Sequence, residues 1–226
     1  MKSIVITIDG PAGAGKTTIG KALSDRLGYR YVDTGALYRA IALAAERKNL
    51  TKTDDDAIQM LLSQITVDLP HDRPDAVLLN GEDVFSLIRT PSISKLASDL
   101  SAKPFVRSFL LSLQRHLGET QNVVFEGRDT GTVIFPNSPV KFFLFATLSA
   151  RAKRRYLEFL KKGVEVTLED VEKDISLRDQ NDSTRSLAPL KPAPDAILID
   201  STDLSINQVV DKMVFQVEQK LSSFSR

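Results

Sequence analysis

The sequence predicts an α/β fold built on a doubly wound, mostly parallel sheet of five strands. Short, β-rich apolar runs alternate along the chain with helical patterns. Several of these runs are continuously apolar, which is typical of parallel strands that are buried on both faces. Because strand and helix patterns alternate, the helices are expected to cover the two faces of the sheet. The predicted strands are 4–8, 29–32, 123–125, 140–145 and 196–199.

The first and last helices show the clearest apolar faces. Ile19, Leu23 and Leu27 recur at helical spacing after the first strand, and Gly28 is a residue type that often ends a helix. The apolar face of the last helix consists of Ile206, Val209, Val210, Met213, Val217 and Leu221.

Two segments interrupt the alternation. Residues 65–84 contain two β-rich stretches, and Asn80-Gly81 within the second is a strong signal for a type I′ hairpin, so a small antiparallel insert is expected there. Residues 180–195 contain three prolines and are predicted to form a loop. Without an internal repeat or a flexible linker, residues 1–226 are expected to form a single domain.

The composition excludes several kinds of site. The formal net charge is +1, so nothing points to nucleic acid or a membrane, and an anionic ligand must be held by local clusters of Lys and Arg. The absence of Cys excludes disulfides, thiolate metal ligands and a Cys nucleophile, and two His residues argue against a His-rich metal site. The first apolar run, 4–8, is too short for a signal peptide, so a soluble cytoplasmic protein is expected.

The stretch GPAGAGKT, residues 10–17, fits the phosphate-loop pattern G-x-x-x-x-G-K-[ST] and lies between a predicted strand and a predicted helix. Small residues let backbone N–H groups wrap around phosphate oxygens, and the helix N-terminus adds a partial positive charge. Lys16 is expected to reach the β- and γ-phosphates of a nucleoside triphosphate, and the Thr17 hydroxyl to bind Mg²⁺. The predicted contacts of that nucleotide in this loop are Gly10, Pro11, Ala12, Gly13, Ala14, Gly15, Lys16, Thr17 and Thr18. A plain Gly-rich turn before a helix is the alternative interpretation.

The second strand ends at Asp33, and the sequence predicts a turn through Thr34-Gly35 followed by a helix that carries Arg39. This arrangement places Arg39 at the carboxyl end of the sheet, where ligands of α/β proteins bind. An exposed Arg on an amphipathic helix is the alternative. A phosphate loop by itself does not distinguish GTPases, motor ATPases and small-molecule kinases.

Four stretches in this order, IDGPAGAGKTT, YVDTGALYRA, EGRDTGTVIFP and RDQNDSTRSLAPL, resemble bacterial cytidylate kinases of the nucleoside monophosphate kinase group. The resemblance implies a P-loop NTPase type of fold, with a monophosphate-binding region at 35–105 that includes the insert and a helical lid at 151–180. It further implies a monomeric enzyme that uses Mg²⁺ to transfer the γ-phosphoryl group of ATP to CMP and dCMP. One departure is Thr130, where the family commonly has Met or Ile; if that side chain lines the pocket, a modest shift in substrate preference is expected.

The resemblance also assigns roles to individual residues. The charges expected to act on the transferred phosphoryl group belong to Lys16, Arg128, Arg178 and Arg185. The expected CMP contacts are Thr34, Arg39, Ser98, Arg107, Arg128, Asp129, Arg178, Asp182 and Arg185. Arg151 and Arg155 would contact ATP, and Asp33 would hold water molecules of the Mg²⁺ bound at Thr17.

Plainer interpretations remain for several of these residues. Arg107 could be solvated on its helix, Arg151, Arg154 and Arg155 could form a basic solvated face, and the charges at 178–185 could decorate a loop. Two functional alternatives also remain. One is a P-loop kinase of UMP, AMP or a shikimate-like acceptor, and the other is an ATP-binding switch without catalysis.

Overall fold

Strands and helices alternate as the sequence predicts in the computed structural model, which describes residues 3–70, 73, 76–161 and 163–224. The strands are β1 Val5–Asp9, β2 Arg30–Asp33, β3 Val67–Asp68, β4 Leu78–Leu79, β5 Glu82–Asp83, β6 Val123–Gly127, β7 Val140–Phe145 and β8 Ile197–Asp200. The α-helices are α1 Lys16–Leu27, α2 Thr34–Glu46, α3 Asp55–Gln64, α4 Pro91–Leu100, α5 Pro104–Thr120, α6 Leu148–Lys161, α7 Leu168–Thr184 and α8 Ile206–Phe224. Among these described residues, no helix is long and apolar enough to cross a membrane.

The main sheet has five strands in the order β2-β6-β1-β7-β8, which confirms the predicted fold class. β1 runs parallel to β6 on one side and to β7 on the other, and β7 runs parallel to β8. The strand order therefore reverses at β1, and the segment that follows β1 emerges at the topological switch point where ligands of such sheets bind.

The core explains why these strands are rich in apolar residues. Ile6, Ile8 and Phe142 are almost completely buried, and they pack with residues of α1 and α8 in one apolar cluster. The predicted end of the first helix is confirmed, because Gly28 adopts a left-handed conformation with φ 66°. The amide of Tyr29 then donates to the Ser24 carbonyl at 3.0 Å and closes the helix terminus.

The chain divides into two compact units. The first unit comprises Met1–Tyr31 and Gln121–Arg226, and the second comprises Val32–Thr120. The first contains the phosphate loop and the proposed lid, and the second contains most of the expected monophosphate-binding region. A single-domain organisation stays a prediction.

The insert of the second unit has the predicted antiparallel sheet, in the order β3-β4-β5. Its hairpin turn is formed by Asn80 and Gly81, with φ values of 52° and 82°, and these positive values are those of a type I′ turn. Residues 71, 72, 74 and 75 of the insert lie outside the described part of the chain.

One boundary prediction is wrong. The sequence predicts a loop over 180–195, and residues 185–195 are indeed outside any helix or strand, but residues 180–184 belong to α7, which continues to Thr184. Residues 180–184 are polar residues with modest helix propensity, and tertiary bonds outweigh that propensity because the Asp182 side chain is buried and bound to Arg128. The first prolines come only later, at Pro189.

Candidate functional site

The phosphate loop lies between β1 and α1 and depends on glycine at two positions. Gly10 has φ 154°, and a Cβ on it would lie 1.9 Å from the Leu144 carbonyl oxygen, so no other residue fits. Gly15 precedes α1 in a left-handed conformation with φ 91°. These two glycines let the loop backbone bend tightly, and a tight bend is what phosphate binding by successive backbone N–H groups requires.

Lys16 is folded back over this loop. Its side chain is 7% exposed, and Nζ donates to the Pro11 carbonyl at 2.8 Å. The pKa of Lys16 is lowered to about 7. Burial is the largest cause, the nearby charges of Arg128 and Arg178 act in the same direction, and Glu126 and Asp182 oppose them. An anionic ligand at this position would restore the charge of Lys16.

Glu126 is a functional candidate that the sequence predictions did not include. It lies near the end of β6, is 6% exposed, and its Oε1 accepts a hydrogen bond from the Thr17 hydroxyl at 2.9 Å. The oxygen atoms of Thr17 and Glu126 could both be ligands of Mg²⁺, which prefers oxygen ligands. Within the described residues, no group of three His, Cys, Asp or Glu side chains could hold a metal. A magnesium ion here would therefore depend on phosphate and water ligands as well, which is its usual preference.

Two buried ion pairs follow β6. Arg128 Nε donates to Asp182 Oδ2 at 2.8 Å, and Arg185 Nη2 lies 3.3 Å from Asp129 Oδ1. Burial would raise the pKa of Asp182, but Arg128 and Arg178 outweigh it and the pKa is lowered. The interpretation of 178–185 as solvated charge decoration is therefore wrong for Asp182 and Arg185, whose side chains are 7% and 8% exposed.

The Asp9 carboxylate stabilises the turn that carries Arg128 and Asp129 by accepting hydrogen bonds from the two residues that follow. The Asp9 carboxylate accepts from the Thr130 amide at 2.9 Å, from the Thr130 hydroxyl at 2.7 Å and from the Gly131 amide at 2.7 Å. Burial nevertheless raises the pKa of Asp9. Thr130 is fully buried, so its hydroxyl has a supporting role in this chain.

The substitution Thr130→Val is expected to lower the free energy of unfolding by about 1–3 kcal/mol, because the buried Asp9 carboxylate loses one of its donors. Urea denaturation measures this change. Thr132→Val is the matched control, since the Thr132 hydroxyl makes only a long, 3.4 Å contact with the Asp129 carbonyl. Equal stability of the two variants would show that the Thr130 hydroxyl does not support Asp9.

The three arginines of α6 bind different partners, although their spacing in the sequence places them on one face of the helix. Arg151 is buried against the phosphate loop, where Nη1 donates to the Ala12 carbonyl at 2.9 Å. Arg154 binds the Ser201 hydroxyl at 3.1 Å, whereas Arg155 binds Glu158 at 3.1 Å. The interpretation as a solvated basic face is therefore wrong for Arg151. The expected ATP contacts of Arg151 and Arg155 stay predictions.

The second unit has its own charged cluster around Asp33. The predicted turn through residues 34–35 is wrong, because α2 begins at Thr34 and the Asp33 side chain caps it by accepting from the Ala36 amide at 3.2 Å. Arg39 donates to the other Asp33 oxygen at 2.6 Å, so the interpretation of Arg39 as an exposed side chain is wrong. Burial would raise the pKa of Asp33, but Arg39 and Arg89 outweigh it and lower the pKa.

Arg89, which the sequence predictions omitted, also belongs to this cluster. Its Nη2 lies 3.6 Å from the Asp33 carboxylate, and its guanidinium carbon lies 4.6 Å from the centre of the Phe85 ring. Two guanidinium groups thus meet one carboxylate, which leaves the cluster with a net positive charge suited to an anion.

The remaining candidates of the second unit differ in burial. Arg107 is 8% exposed, donates to the Ser101 carbonyl at 3.2 Å and lies 5.8 Å from the centre of the Tyr38 ring. The interpretation of Arg107 as a solvated residue is therefore wrong. Thr34 is buried at the start of α2, and Ser98 is half-buried on α4.

Comparisons with known proteins identify the family. Residues 6–219 match the family model for cytidylate kinase. The chain is 47% identical over 220 residues to the cytidylate kinase of Syntrophotalea carbinolica, which covers 97% of this chain and 94% of that one. The chain belongs to the cytidylate kinase family. Another cytidylate kinase, from Geobacter sulfurreducens, is 46% identical with the same coverage.

Solved structures support the fold of this member of the cytidylate kinase family. A gluconokinase from Sinorhizobium meliloti superposes with a TM-score of 0.50 at 14% identity, covering 99% of this chain and 98% of that one. At that identity the likeness concerns the fold alone.

Proposed function

We propose that this member of the cytidylate kinase family transfers the γ-phosphoryl group of ATP to CMP and dCMP, which gives ADP and the corresponding diphosphate. Family membership over nearly the whole chain supports this proposal. The observation that carries it in the structure is a group of cationic side chains close to Lys16 of the phosphate loop. Arg128 and Arg178 act on the pKa of Lys16, and Arg128 and Arg185 are held by Asp182 and Asp129 at 2.8 and 3.3 Å.

The proposed chemistry needs positioning and charge neutralisation rather than a base. A CMP phosphate oxygen is already anionic, so it can attack the γ-phosphorus in line while negative charge spreads over the transferred group. Lys16, Arg128, Arg178 and Arg185 are proposed to neutralise that charge. Arg128 and Arg185 are paired with Asp182 and Asp129, and these carboxylates would hold the two guanidinium groups in place for the phosphates.

Mg²⁺ is proposed as the cofactor. Thr17 and Glu126 would hold it directly, and Asp33 would hold one of its waters. When bound, the ion would neutralise part of the charge on the β- and γ-phosphates. The adjacent oxygen atoms of Thr17 and Glu126, 2.9 Å apart, support this assignment.

Recognition of the CMP base is proposed to depend on groups that match its hydrogen-bonding edge. Asp129 and Thr34 would accept from the exocyclic amino group, and Arg107 would donate to the ring acceptors. Arg39 would bind the phosphate, and Ser98 and Asp182 the ribose; the structure adds Arg89 as a further phosphate candidate, because it shares Asp33 with Arg39.

A panel of acceptors tests the proposed function. With ATP and Mg²⁺, kcat/KM for CMP and dCMP is expected to exceed that for UMP by about a hundredfold or more, since UMP presents a carbonyl where CMP presents the amino donor. A coupled assay of ADP release measures the rates, with AMP and shikimate as further acceptors. Faster phosphorylation of UMP, AMP or shikimate would contradict the assignment, and the absence of ADP release with every acceptor would favour a switch.

We also infer that the enzyme works in the cytoplasm as a monomer, without a nucleic-acid or membrane partner. The formal net charge of +1 and the family resemblance support this inference. Sedimentation equilibrium is expected to give the mass of one chain, 25.0 kDa.

A further inference from the structure

The backbone N–H and C=O groups of one residue of the phosphate loop, Ala12, are both hydrogen-bonded to side chains that lie far later in the chain. The amide of Ala12 donates to Asp179 Oδ1 at 3.1 Å, and the carbonyl of Ala12 accepts from Arg151 Nη1 at 2.9 Å. Asp179 lies on α7 and Arg151 on α6, so both helices of the proposed lid are bonded to the same point of the loop.

The two side chains are also bonded to each other. Arg151 Nη1 lies 2.5 Å from Asp179 Oδ2, and Arg151 Nε donates to the Ala146 carbonyl at 2.9 Å. The side chains of Arg151 and Asp179 are 9% and 21% exposed, so these charge-assisted bonds are largely shielded from water and are stronger than exposed ones. Ala12, Arg151 and Asp179 thus form a closed ring of bonds, which is named the loop latch.

Apolar contacts around Ala12 further stabilise the position of the loop against α6 and α7. Ala12 packs in one cluster with Ala152 of α6 and with Val171 and Ile175 of α7. A Cβ on Gly13 would lie 3.2 Å from the Arg151 backbone oxygen and Cβ, so the loop approaches the lid helices as closely as the backbone allows.

The position of Asp179 on α7 connects the loop latch with the reacting groups. Asp179 directly follows Arg178, whose charge acts on Lys16, and Asp182 lies one turn further on, where it binds Arg128. Because Arg178 is the neighbour of Asp179 in α7, the bond between Asp179 and Ala12 also restricts the position of Arg178 relative to the loop. None of the roles proposed so far for ATP, CMP or Mg²⁺ uses Asp179.

We propose that Asp179 is a positioning residue that fastens α7 to the phosphate loop, so that the loop conformation that binds the triphosphate also places Arg178 for phosphoryl transfer. This inference rests on the proposed function. Asp179 touches neither substrate in this proposal; it acts through the Ala12 peptide and through Arg151, which it holds against the loop.

The test compares Asp179→Ala with Asp179→Asn. Alanine removes both bonds of Asp179, and kcat is expected to fall about 30- to 100-fold, as misplacement of a catalytic group does, while KM for CMP changes less than about threefold. Asparagine keeps an oxygen that can accept from the Ala12 amide, so it is expected to recover at least about a third of the lost activity on a logarithmic scale. Asp174→Ala is the matched control, because Asp174 lies exposed on the same helix, and it is expected to behave as the unchanged enzyme.

A second readout observes the loop directly and needs no turnover. Hydrogen exchange of the Ala12 amide, followed by NMR, is expected to speed up at least about tenfold in Asp179→Ala and to stay near the original rate in Asp179→Asn. This measurement tests the loop latch even if CMP proves not to be the acceptor. Failure of the proposed function can therefore be distinguished from failure of the loop-latch inference. Unchanged kcat, or unchanged Ala12 exchange, in a folded Asp179→Ala variant would overturn the inference. If that variant does not fold, full activity of Asp179→Leu, which has no acceptor but a similar volume, would overturn it.

Discussion

Replacing Arg178 with alanine is expected to lower kcat about a thousandfold and to leave the dissociation constant of ATP within about threefold. Arg178 lies on α7, where its charge lowers the pKa of Lys16 and of Asp182, so it is close to both the phosphate loop and the Arg128 pair. A guanidinium at such a place interacts more strongly with the spreading charge of the transition state than with bound ATP.

Initial rates at saturating CMP, together with ATP binding measured by calorimetry, separate these two quantities. Arg178→Lys retains the charge but not the planar pair of donors, and it is expected to recover only part of kcat. Lys173→Ala is the control on the same helix, since the Lys173 side chain is 70% exposed and forms an ion pair with Glu169, which is also exposed. An unchanged kcat in Arg178→Ala would remove Arg178 from the catalytic group.

The sheet and the phosphate loop could be predicted because their signals are local. The run 142–145 consists of apolar residues alone, so it has no polar position at which a solvated face could form, and it accordingly belongs to β7, an interior strand of the sheet. The Gly10–Thr17 stretch requires close backbone approach, which the structure shows at Gly10 beside Leu144. The Asn80-Gly81 turn was predictable for the same reason, since the two positive φ values depend on these residue types alone.

The residues that sequence reasoning missed depend on partners far away in the chain. Glu126 has a role only because β6 lies beside β1, which brings it to Thr17. The loop latch likewise joins Ala12 to Asp179, 167 positions later. A signal for Glu126 was nevertheless available, because a carboxylate at the end of a strand next to the phosphate-loop strand faces the switch point of the sheet.

The three arginines of α6 show a limit of periodicity. Their spacing predicts a common face, yet Arg151 turns to the loop, Arg154 to Ser201 and Arg155 to Glu158. Long flexible side chains reach partners well away from the direction of their Cα–Cβ bonds, so helical spacing alone does not determine what they bind.

Replacing Arg128 with methionine is expected to lower both stability and kcat. The Arg128–Asp182 pair is buried, with side chains 18% and 7% exposed, and removing one partner leaves a buried charge. The free energy of unfolding is expected to fall by about 3 kcal/mol, at the lower end of the range for a broken buried pair. The loss stays at that end because Arg178 and Arg185 still act on Asp182.

The pH dependence of this loss follows from the lowered pKa of Asp182. A carboxyl group whose pKa is lower in the folded protein contributes stability above its unfolded pKa, about 3.9, and that contribution is lost as the pH falls through the folded pKa. The difference in unfolding free energy between the original protein and Arg128→Met is therefore expected to be largest at neutral pH and to shrink in acid. Urea denaturation at a series of pH values measures it.

A second substitution separates the structural role of Arg128 from its catalytic one. In Arg128→Met with Asp182→Asn, the uncompensated carboxylate is gone, so stability is expected to return to within about 1 kcal/mol of the original protein. The kcat value is expected to stay at least about a hundredfold low, because no guanidinium remains to neutralise the transferred phosphoryl group. The single Asp182→Asn variant completes the double-mutant cycle. It shows how much activity is lost when the carboxylate alone is removed. Recovery of kcat in the double variant, in parallel with stability, would mean that Arg128 serves only to hold Asp182 in place.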